Sequence, residues 1–302
     1  MKLILGTRGS PLALAQARMT ASAIEVAHGW PAETVEIRII KTTGDRIQDR
    51  PLADIGGKAL WTKELDQALL AGETHCSVHS MKDVESDRPD ALCIVAMLER
   101  ADTADRMIGA ESIAALPQGA RIGTSSPRRA AQLLALRPDL EIVPLRGNVD
   151  TRLAKVAAKE CDATLLAAAG LDRLGRSGVG HALDLLPAPA QGAVGIECRK
   201  DDDQTRRVLA QINHHPTFVA VAAERAFTHA LGGGCHSPVA ALATVGQDGM
   251  LSMRAEILSG DGLCSVRDEA HFADDDLHTP AALATAMLAR APEAIRRLFE
   301  GG

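Results

Sequence analysis

The stretch LILGTRGSPLALAQARMTASAIEVA at residues 3–27 sets the pattern for the first two thirds of the chain. Its first residues predict a strand, and the apolar spacing of residues 11–27 predicts a helix that follows directly. Ser10 is a candidate N-cap with Pro11 at the first helical position, and Arg8 lies beside the same helix end. Because helix N-termini favour anions, this junction is a candidate anion site.

The same alternation of strands and helices continues beyond this stretch. Further strands are predicted at residues 35–40, 76–79, 92–98, 120–123, 141–145 and 163–168, and further helices at 60–71, 127–136 and 148–159. Such alternation predicts an α/β fold with mainly parallel sheets, helices on both faces and ligands at the carboxyl ends of the strands. From about Pro216 the pattern changes to one helix, several strands with turn signals between them, and a terminal helix, which predicts a small α+β domain.

Composition narrows the class of protein. A chain of 302 residues is too long for one hydrophobic core and fits two or three domains. Its four Phe, two Trp and no Tyr leave few rings for stacking bases, and its net charge of −6 argues against a nucleic-acid or acidic-membrane binder. No stretch approaches the roughly 20 apolar residues of a membrane span. Gly6, Arg8 and Pro11 break the N-terminal apolar run, so we expect a cytoplasmic protein.

The six cysteines form no C-x-x-C pair, which indicates neither a zinc knuckle nor a disulfide framework. Cys235 differs from the others because three glycines precede it in LGGGCHSPVA, residues 231–240. Glycines adopt conformations that other residues avoid, and they leave space around the sulfur. Two interpretations stay open from these residues alone: a tight turn followed by a buried thiol, or a sulfur that needs room around it.

Two further strand-to-helix junctions are rich in anion-binding groups. TSSPRR follows the strand at 120–123, and RGNVDTR follows the strand at 141–145. Their hydroxyls and arginines are Thr124, Ser125, Ser126, Arg128, Arg129, Arg146 and Arg152. Together with Arg8, these arginines in an acidic chain predict a cleft for a ligand with several carboxylates or phosphates. The segment at 52–59 lacks the P-loop pattern, but its Lys58 lies on a turn before a helix and supplies a further positive charge.

A fourth junction, in VHSMKDV, carries a carboxylate as well as a cation. Ser80, Lys82 and Asp83 follow the strand there and therefore lie at the edge of the predicted site. Asp83 is either an ordinary turn residue or helix cap, or a group that stabilises a developing cation, since anion binding requires no carboxylate. Two histidines on the preceding strand lack a third ligand, so we predict no metal site.

Eight motifs, in order, resemble the porphobilinogen deaminase family, also called hydroxymethylbilane synthases, and cover most of the chain from residue 6 to about 240. They are TRGSPLALAQ, GGKALWTKEL, VHSMKDV, GTSSPRRAAQL, PLRGNVDTRL, AAAGLDRLG, PAQGAVGIECR and LGGGCHSPVA. The resemblance implies a transferase of haem and tetrapyrrole biosynthesis that joins four porphobilinogen molecules head to tail with release of ammonia, giving hydroxymethylbilane. It also implies a dipyrromethane cofactor that the enzyme builds itself and holds through a thioether on Cys235, and a monomer.

The resemblance further implies three domains. Two doubly wound lobes like those of periplasmic binding proteins would span residues 1–96 with 194–215, and residues 97–193. A small α+β domain at 216–302 would carry the cofactor. We expect hinge-like linkers near 96–100 and 190–194.

Carried over position by position, the resemblance assigns roles to the junction residues. Asp83 would be catalytic: it would accept hydrogen bonds from pyrrole N–H groups, stabilise the cation formed as ammonia leaves, and mediate proton transfer. The cofactor-binding residues would be Cys235, Lys58, Ser80, Lys82, Asp83, Thr124, Ser126, Arg128, Arg129 and Arg146. The substrate-binding residues would be Arg8, Ser10, Arg146, Arg152 and Gln191. Each porphobilinogen carries an acetate and a propionate, which accounts for the many arginines.

The sequence departs from the family pattern at three places, and two alternative functions remain open. Trp61 stands where Phe is common, Glu85 stands where Pro often follows KDV, and GGGCHSP replaces the more usual GGCQVP. A two-lobed binding protein for a polyanion would keep the arginines but would not need Asp83 and Cys235 together. A thiol enzyme using Cys235 with His236 is disfavoured because adjacent side chains on an extended segment point in opposite directions.

Overall fold

The computed structural model describes residues 2–42, 62–232 and 237–300. Contacts divide the chain into two compact units, Met1–Ala101 with Gly192–Phe218, and Asp102–Gln191 with Val219–Gly302. Each of three sheets has a hydrophobic cluster of its own. The division into three domains at the boundaries given above stays a prediction.

Within these residues the chain forms thirteen strands and nine α-helices. The strands are β1 Leu3–Thr7, β2 Val35–Ile39, β3 Cys76–Ser80, β4 Leu92–Met97, β5 Asp105–Ile108, β6 Arg121–Gly123, β7 Glu141–Val143, β8 Ala163–Ala167, β9 His181–Leu183, β10 Val194–Arg199, β11 Val239–Val245, β12 Leu251–Leu258 and β13 Ser265–Phe272. The helices are α1 Pro11–His28, α2 Lys63–Leu70, α3 Pro127–Leu136, α4 Val149–Ala157, α5 Ala168–Arg173, α6 Asp203–Ala210, α7 His215–Ala230, α8 His278–Arg290 and α9 Glu293–Arg296. No described helix has the length and apolar character needed to cross a membrane.

The first unit is built on a five-stranded sheet in the order β2-β1-β3-β10-β4. β1 runs parallel to β2 and β3, whereas β10 runs antiparallel to β3 and β4. Helix α1 packs on the parallel strands, and α6 packs on β4 and β10. Buried aliphatic side chains such as Leu3, Leu5, Ile24 and Ile196 fill the space between them, as expected for a chain with few aromatic residues.

The second unit begins with a sheet of the same design, in the order β7-β6-β8-β5-β9. β6 runs parallel to β7 and β8, whereas β5 runs antiparallel to β8 and β9. Its core contains Met107, Ile122, Leu133 and Leu165, all buried. The strands β1, β6, β7 and β8 each lead at their carboxyl ends into a helix, namely α1, α3, α4 and α5.

The expectation of mainly parallel sheets is wrong, because half of the neighbouring pairs in these two sheets are antiparallel. The antiparallel pairings come from β5, β9 and β10, which the sequence pattern did not predict. β5 and β10 each follow a point where the chain enters a unit, near residues 102 and 192. A strand that arrives from another unit has no crossover helix behind it, so nothing obliges it to run parallel to its neighbours.

The rest of the second unit is a three-stranded antiparallel sheet, β11-β12-β13, with helices α7, α8 and α9. Its core contains Phe227, Met253, Ile257 and Met287, all buried. Helix α3 of the preceding α/β part packs against β12. These elements confirm the predicted fold class, two α/β sheets with helices and a small C-terminal α+β part.

Candidate active site

The junction between β1 and α1 forms as predicted. Ser10 has extended backbone angles, and its hydroxyl accepts a hydrogen bond from the Ala13 N–H at 3.2 Å. Pro11 occupies the first helical turn, where a missing N–H costs nothing. Arg8 stands two residues before this cap, so its positive charge adds to that of the helix N-terminus.

The junction after β3 is a single 3-10 turn, Met81–Asp83. Met81 is buried at 1% exposure, and its N–H donates to the Ala193 carbonyl at 3.1 Å. The turn closes when the Val84 N–H donates to the Met81 carbonyl at 3.2 Å. A buried residue at the start of the turn thus fixes Asp83, which itself stays partly accessible.

One pocket in the first unit is lined by four of the residues singled out in the sequence. They are Arg8, Ser10, Ser80 and Asp83. The pocket joins the carboxyl ends of two neighbouring parallel strands, β1 and β3, as expected for this class of sheet. Lys82, in the same turn as Asp83, is not among the described residues that line this pocket.

The same pocket is lined by polar residues that the sequence reading missed. Gln16 is buried at 3% exposure, and its Nε2 donates to Ser80 Oγ at 2.8 Å. Thr62 and His79, also buried, line it as well. A glutamine within the otherwise apolar face of a helix was the available signal for Gln16, because an amide in that position needs a buried partner.

A buried group of charges lies among these elements. Glu197, fully buried on β10, accepts from Arg88 Nε at 2.9 Å and lies 3.1 Å from His79 Nε2. Arg88 Nη2 also lies 2.5 Å from Asp66 Oδ1. Burial acts to raise the pKa of Glu197, but hydrogen bonds and charges from His79 and Arg88 outweigh it and lower that pKa to about 2. For Asp66, burial prevails over Arg88 and raises the pKa.

In the second unit, the junction between β6 and α3 is also capped. The Ser126 hydroxyl accepts from the Arg129 N–H at 3.4 Å, and the Thr124 hydroxyl accepts from the Ser126 N–H at 3.1 Å. Pro127 again begins the helix. Hydroxyls and helix-start N–H groups are therefore grouped at the end of β6, as predicted.

The two arginines of this junction are buried, at 2% exposure for Arg128 and 6% for Arg129. Asp105 on β5 bridges them, with Oδ2 2.6 Å from Arg128 Nη1 and Oδ1 2.7 Å from Arg129 Nη2. Burial acts to raise the pKa of Asp105, but the two guanidinium groups hold it well below its usual range. Among the described residues, neither arginine's Nε has a hydrogen-bond partner.

Gln191 belongs to the same group and is fully buried. Its Nε2 donates to the Thr103 carbonyl at 2.7 Å and to Asp105 Oδ1 at 3.0 Å, and its Oε1 accepts from Arg128 Nη2 at 3.3 Å. Those bonds connect it to β5, to the residue Thr103 before that strand, and to α3 of the second unit. Its substrate-binding role stays a prediction.

The last predicted junction, between β7 and α4, holds Arg146 and Arg152. Asn148 caps the helix by accepting from the Thr151 N–H at 2.9 Å. Gly147 has a φ of +115°, and a Cβ there would lie 2.6 Å from Thr151 Cγ2, so this turn requires glycine. Arg152 Nε donates to the Gly147 carbonyl at 3.0 Å, which holds this arginine against the helix start.

Lys58, Trp61, Cys235 and His236 lie outside the described residues, so their predicted roles have no structural description. Within the described residues, no group of three His, Cys, Asp or Glu side chains could hold a metal ion. The structure thus groups Arg8, Ser10, Ser80 and Asp83 at one pocket of the first unit. The predicted hydroxyls and arginines of the second unit lie at the starts of α3 and α4.

Comparisons with known proteins agree with the motifs. A family model described as the porphobilinogen deaminase dipyromethane cofactor binding domain matches residues 3–207, and one described as the porphobilinogen deaminase C-terminal domain matches residues 218–289. The chain belongs to the porphobilinogen deaminase family. The porphobilinogen deaminase of Sphingopyxis alaskensis is 57% identical over 98% of this chain and 96% of its own length, and that of Syntrophomonas wolfei is 50% identical over 86% of each.

Membership of the porphobilinogen deaminase family confirms three predictions made from the motifs: the family itself, the transferase of tetrapyrrole biosynthesis, and the dipyrromethane cofactor. Solved structures with a similar chain path include the methionine-binding protein MetQ, with a TM-score of 0.42 at 13% identity over 70% of this chain and 89% of that chain. Another is the VFT2 domain of Bordetella pertussis BvgS, with a TM-score of 0.41 at 16% identity over 70% of this chain and 85% of that one.

Proposed function

We propose that Asp83 and the pocket around it carry out the reaction of the porphobilinogen deaminase family, in which four porphobilinogen molecules are joined with release of ammonia to give hydroxymethylbilane. The observation that carries this proposal is the placement of the Asp83 carboxylate in one pocket with Arg8, Ser10 and Ser80. The three other groups suit a carboxylate-bearing substrate. Asp83 suits a positive charge.

Arg8 and Ser10 hold the substrate's carboxylates in this proposal. The planar guanidinium of Arg8 can donate two parallel hydrogen bonds to one carboxylate. The capped start of α1 adds backbone N–H groups and the positive end of the helix dipole beside it. The acetate and propionate of porphobilinogen thereby orient the reacting ring towards the end of β3, where Asp83 lies.

Asp83 acts on the reacting atoms. As ammonia leaves, positive charge develops on the substrate's methylene and ring, and a fixed carboxylate stabilises it. Asp83 accepts hydrogen bonds from the pyrrole N–H groups, passes a proton to the leaving amine, and takes the proton released by the pyrrole carbon that forms the new bond. The buried Met81 at the start of the turn keeps the carboxylate in place for these steps.

The donors of the second unit fit the cofactor, which carries four carboxylates on its two rings. Thr124, Ser126, Arg128, Arg129 and Arg146 would hold these groups. The Nε atoms of the buried Arg128 and Arg129, which have no hydrogen-bond partner within the described part of the chain, suit an anion. In the first unit, Ser80 and Lys82 would hold the cofactor beside Asp83, and Lys58 would add a positive charge. When bound, the dipyrromethane supplies the free pyrrole carbon to which the first porphobilinogen is joined.

Cys235 is the cysteine we assign to the thioether. Burial raises the pKa of Cys198 to about 12 and raises that of Cys76 further, so neither thiol is a ready nucleophile. Three glycines directly precede Cys235 in the sequence, and residues without side chains suit a sulfur that carries two rings. Arg152 and Gln191 would complete the substrate site.

We further propose that the protein works as a monomer in the cytoplasm. A net charge of −6 keeps it soluble without a partner, and its thiols suit a reducing compartment. Gel filtration with light scattering tests the first part: a mass of one chain, 31.8 kDa, is expected, and twice that mass would contradict it.

The decisive experiment is an intact mass of the purified chain with peptide mapping around Cys235. We expect a mass excess of two linked pyrrole units on that peptide, and neither adduct nor product for Cys235→Ser. For Asp83→Asn we expect loss of about two to three orders of magnitude in kcat, as for other lost transition-state contacts. Asp90→Asn, an exposed change in the same loop, is the matched control and should keep wild-type turnover. Near-normal turnover of Asp83→Asn would contradict the proposed role.

A further inference from the structure

Arg88 lies five residues after Asp83 on the same loop, and its guanidinium points away from solvent. Only 9% of its side chain is exposed. It reaches two other elements of the first unit: Asp66 on α2, and Glu197 on β10, which it meets with two hydrogen bonds of 2.9 and 2.7 Å. One side chain thus joins the Asp83 loop to both a helix and a strand.

Two further residues extend this contact towards the pocket. Arg88 Nη1 donates to Thr62 Oγ1 at 3.1 Å, and the Thr62 hydroxyl in turn donates to Glu85 Oε2 at 3.2 Å. Thr62 directly precedes α2 but makes no side-chain cap to it. Its hydroxyl is instead held by Arg88 and Glu85, two residues of the Asp83 loop.

We call Thr62, Asp66, Glu85, Arg88 and Glu197 the Arg88 cluster. It is connected to the pocket in two ways: Thr62 lines the pocket itself, and Glu85 and Arg88 belong to the loop that begins at the pocket residue Asp83. The Glu85 carboxylate accepts the hydrogen bond from Thr62, so this loop contacts a residue of the pocket lining directly.

The charges make the cluster hard to rearrange. Asp66 and Glu197 have side-chain exposures of 9% and 0%, and Arg88 is the cation that meets both. Moving Arg88 outward would leave two buried carboxylates without their shared partner, which is strongly unfavourable. The loop is therefore held to α2 and β10 more firmly than backbone hydrogen bonds alone would hold it.

We infer that Arg88 is a positioning residue for the reaction: through its contacts with Thr62, Asp66 and Glu197 it fixes both the loop that carries Asp83 and the pocket-lining residue Thr62. It touches no reacting atom. The inference rests on the role proposed above for Asp83. A small displacement of a catalytic group lowers the rate of a chemical step strongly, so the effect belongs in kcat rather than in substrate binding.

The test is a double-mutant cycle between Arg88→Lys and Asp83→Glu, measured as kcat and KM of the holoenzyme. Lysine keeps the buried positive charge but cannot form the forked contacts with both carboxylates and Thr62. We expect Arg88→Lys to lower kcat by about ten- to hundredfold with KM within about twofold. In the Asp83→Glu background, where the carboxylate is already misplaced, the same change should lower kcat less than about twofold.

Two controls separate positioning from general loss of structure. Arg137→Lys weakens a surface pair with Asp139 in the second unit and should leave kcat unchanged. Thr62→Val keeps every charge of the cluster and replaces only the hydroxyl with a methyl group, so it should fold even where Arg88→Lys does not. We expect Thr62→Val to lower kcat less than Arg88→Lys does. In the Asp83→Glu background, Thr62→Val should have no effect on kcat.

Equal losses in the two backgrounds would overturn the inference, because a purely structural role lowers activity regardless of Asp83. An unchanged kcat for both Arg88→Lys and Thr62→Val would overturn it as well. The proposed function fails separately, through near-normal turnover of Asp83→Asn or the lack of an adduct on Cys235. If Arg88→Lys lowers kcat equally in both backgrounds while Asp83→Asn is inactive, only the positioning role of Arg88 is rejected.

Discussion

Gly195 on β10 leaves room for Met81, the buried first residue of the Asp83 turn: a Cβ at residue 195 would lie 2.1 Å from the Met81 Sδ and 2.9 Å from its Cγ. The close approach connects two residues far apart in the sequence. β10 pairs with β3, so any side chain at residue 195 would displace the residue that leads from β3 into the turn. The absence of a side chain at Gly195 therefore lets Met81 occupy this space, and Met81 in turn fixes the position of Asp83.

Gly195→Ala is expected to lower both stability and kcat. The added methyl group overpacks the site, which should lower the free energy of unfolding by about 1–3 kcal/mol. It should also shift Met81 and thereby move the turn that carries Asp83. Urea unfolding and steady-state turnover measure the two effects. Met81→Ala should restore part of both in the Gly195→Ala background, because it removes the clashing atoms. Gly178→Ala is the control, since nothing lies within 4 Å of its Cβ position and its φ is ordinary. Full activity of Gly195→Ala would contradict this account.

Asp105→Asn is expected to destabilise the second unit by about 3–5 kcal/mol, because it leaves Arg128 and Arg129 buried without their shared carboxylate. Urea unfolding at neutral pH measures this loss. Asp139→Asn, which removes the partner of the partly exposed Arg137, should cost much less. Equal losses for the two variants would show that the buried bridge contributes no more than a surface pair.

The local features of the site were predictable from sequence, and the paired charges were not. Ser10, Ser126 and Asn148 cap helices that begin within a few residues of them, so neighbouring residues were enough to indicate those junctions. Arg88 and Glu197 are 109 positions apart, and nothing near either one indicates its partner. From the sequence alone, each of these two residues would be predicted to be an ordinary exposed charge.

The strand directions show the same limit. Sequence periodicity detects a strand that is followed by an amphipathic helix, as β1 is followed by α1. It does not detect β5 or β10, whose direction depends on where the chain enters a unit. Arg128 and Arg129 were predicted at a helix start, and they lie there, but their burial depends on Asp105 from the undetected β5.

Glu197 gives the first unit an acid-dependent stability. Its folded pKa of about 2 lies below the roughly 4.3 of an unfolded glutamate, so its contribution is complete above about pH 4.3 and is lost as the pH falls towards 2. Glu197→Gln should therefore be less stable than the wild type at neutral pH, by on the order of 3 kcal/mol. The difference in unfolding free energy should narrow as the pH falls from about 4.3 towards 2 in urea unfolding curves. A difference that is constant over this range would rule out an ionised Glu197 as its cause.

Thiol labelling gives the last prediction, because burial separates the cysteines by reactivity. Cys198 faces Cys76 on β3 and Cys93 on β4, and burial raises its pKa to about 12. At pH 8 only about one such thiol in ten thousand is ionised, and the thiolate is the form that alkylates. We therefore expect iodoacetamide to leave Cys76 and Cys198 unlabelled in the native protein and to label the partly exposed Cys264 first.

Cys235 should behave differently from all of these in the same experiment. In the holoenzyme its sulfur is bonded to carbon, so it should resist alkylation even after denaturation, whereas Cys76 and Cys198 should then label fully. Mass mapping of each cysteine peptide before and after denaturation measures this contrast. A Cys235 that alkylates readily in the active protein would contradict the thioether, since a sulfur that holds the primer has no thiolate to react.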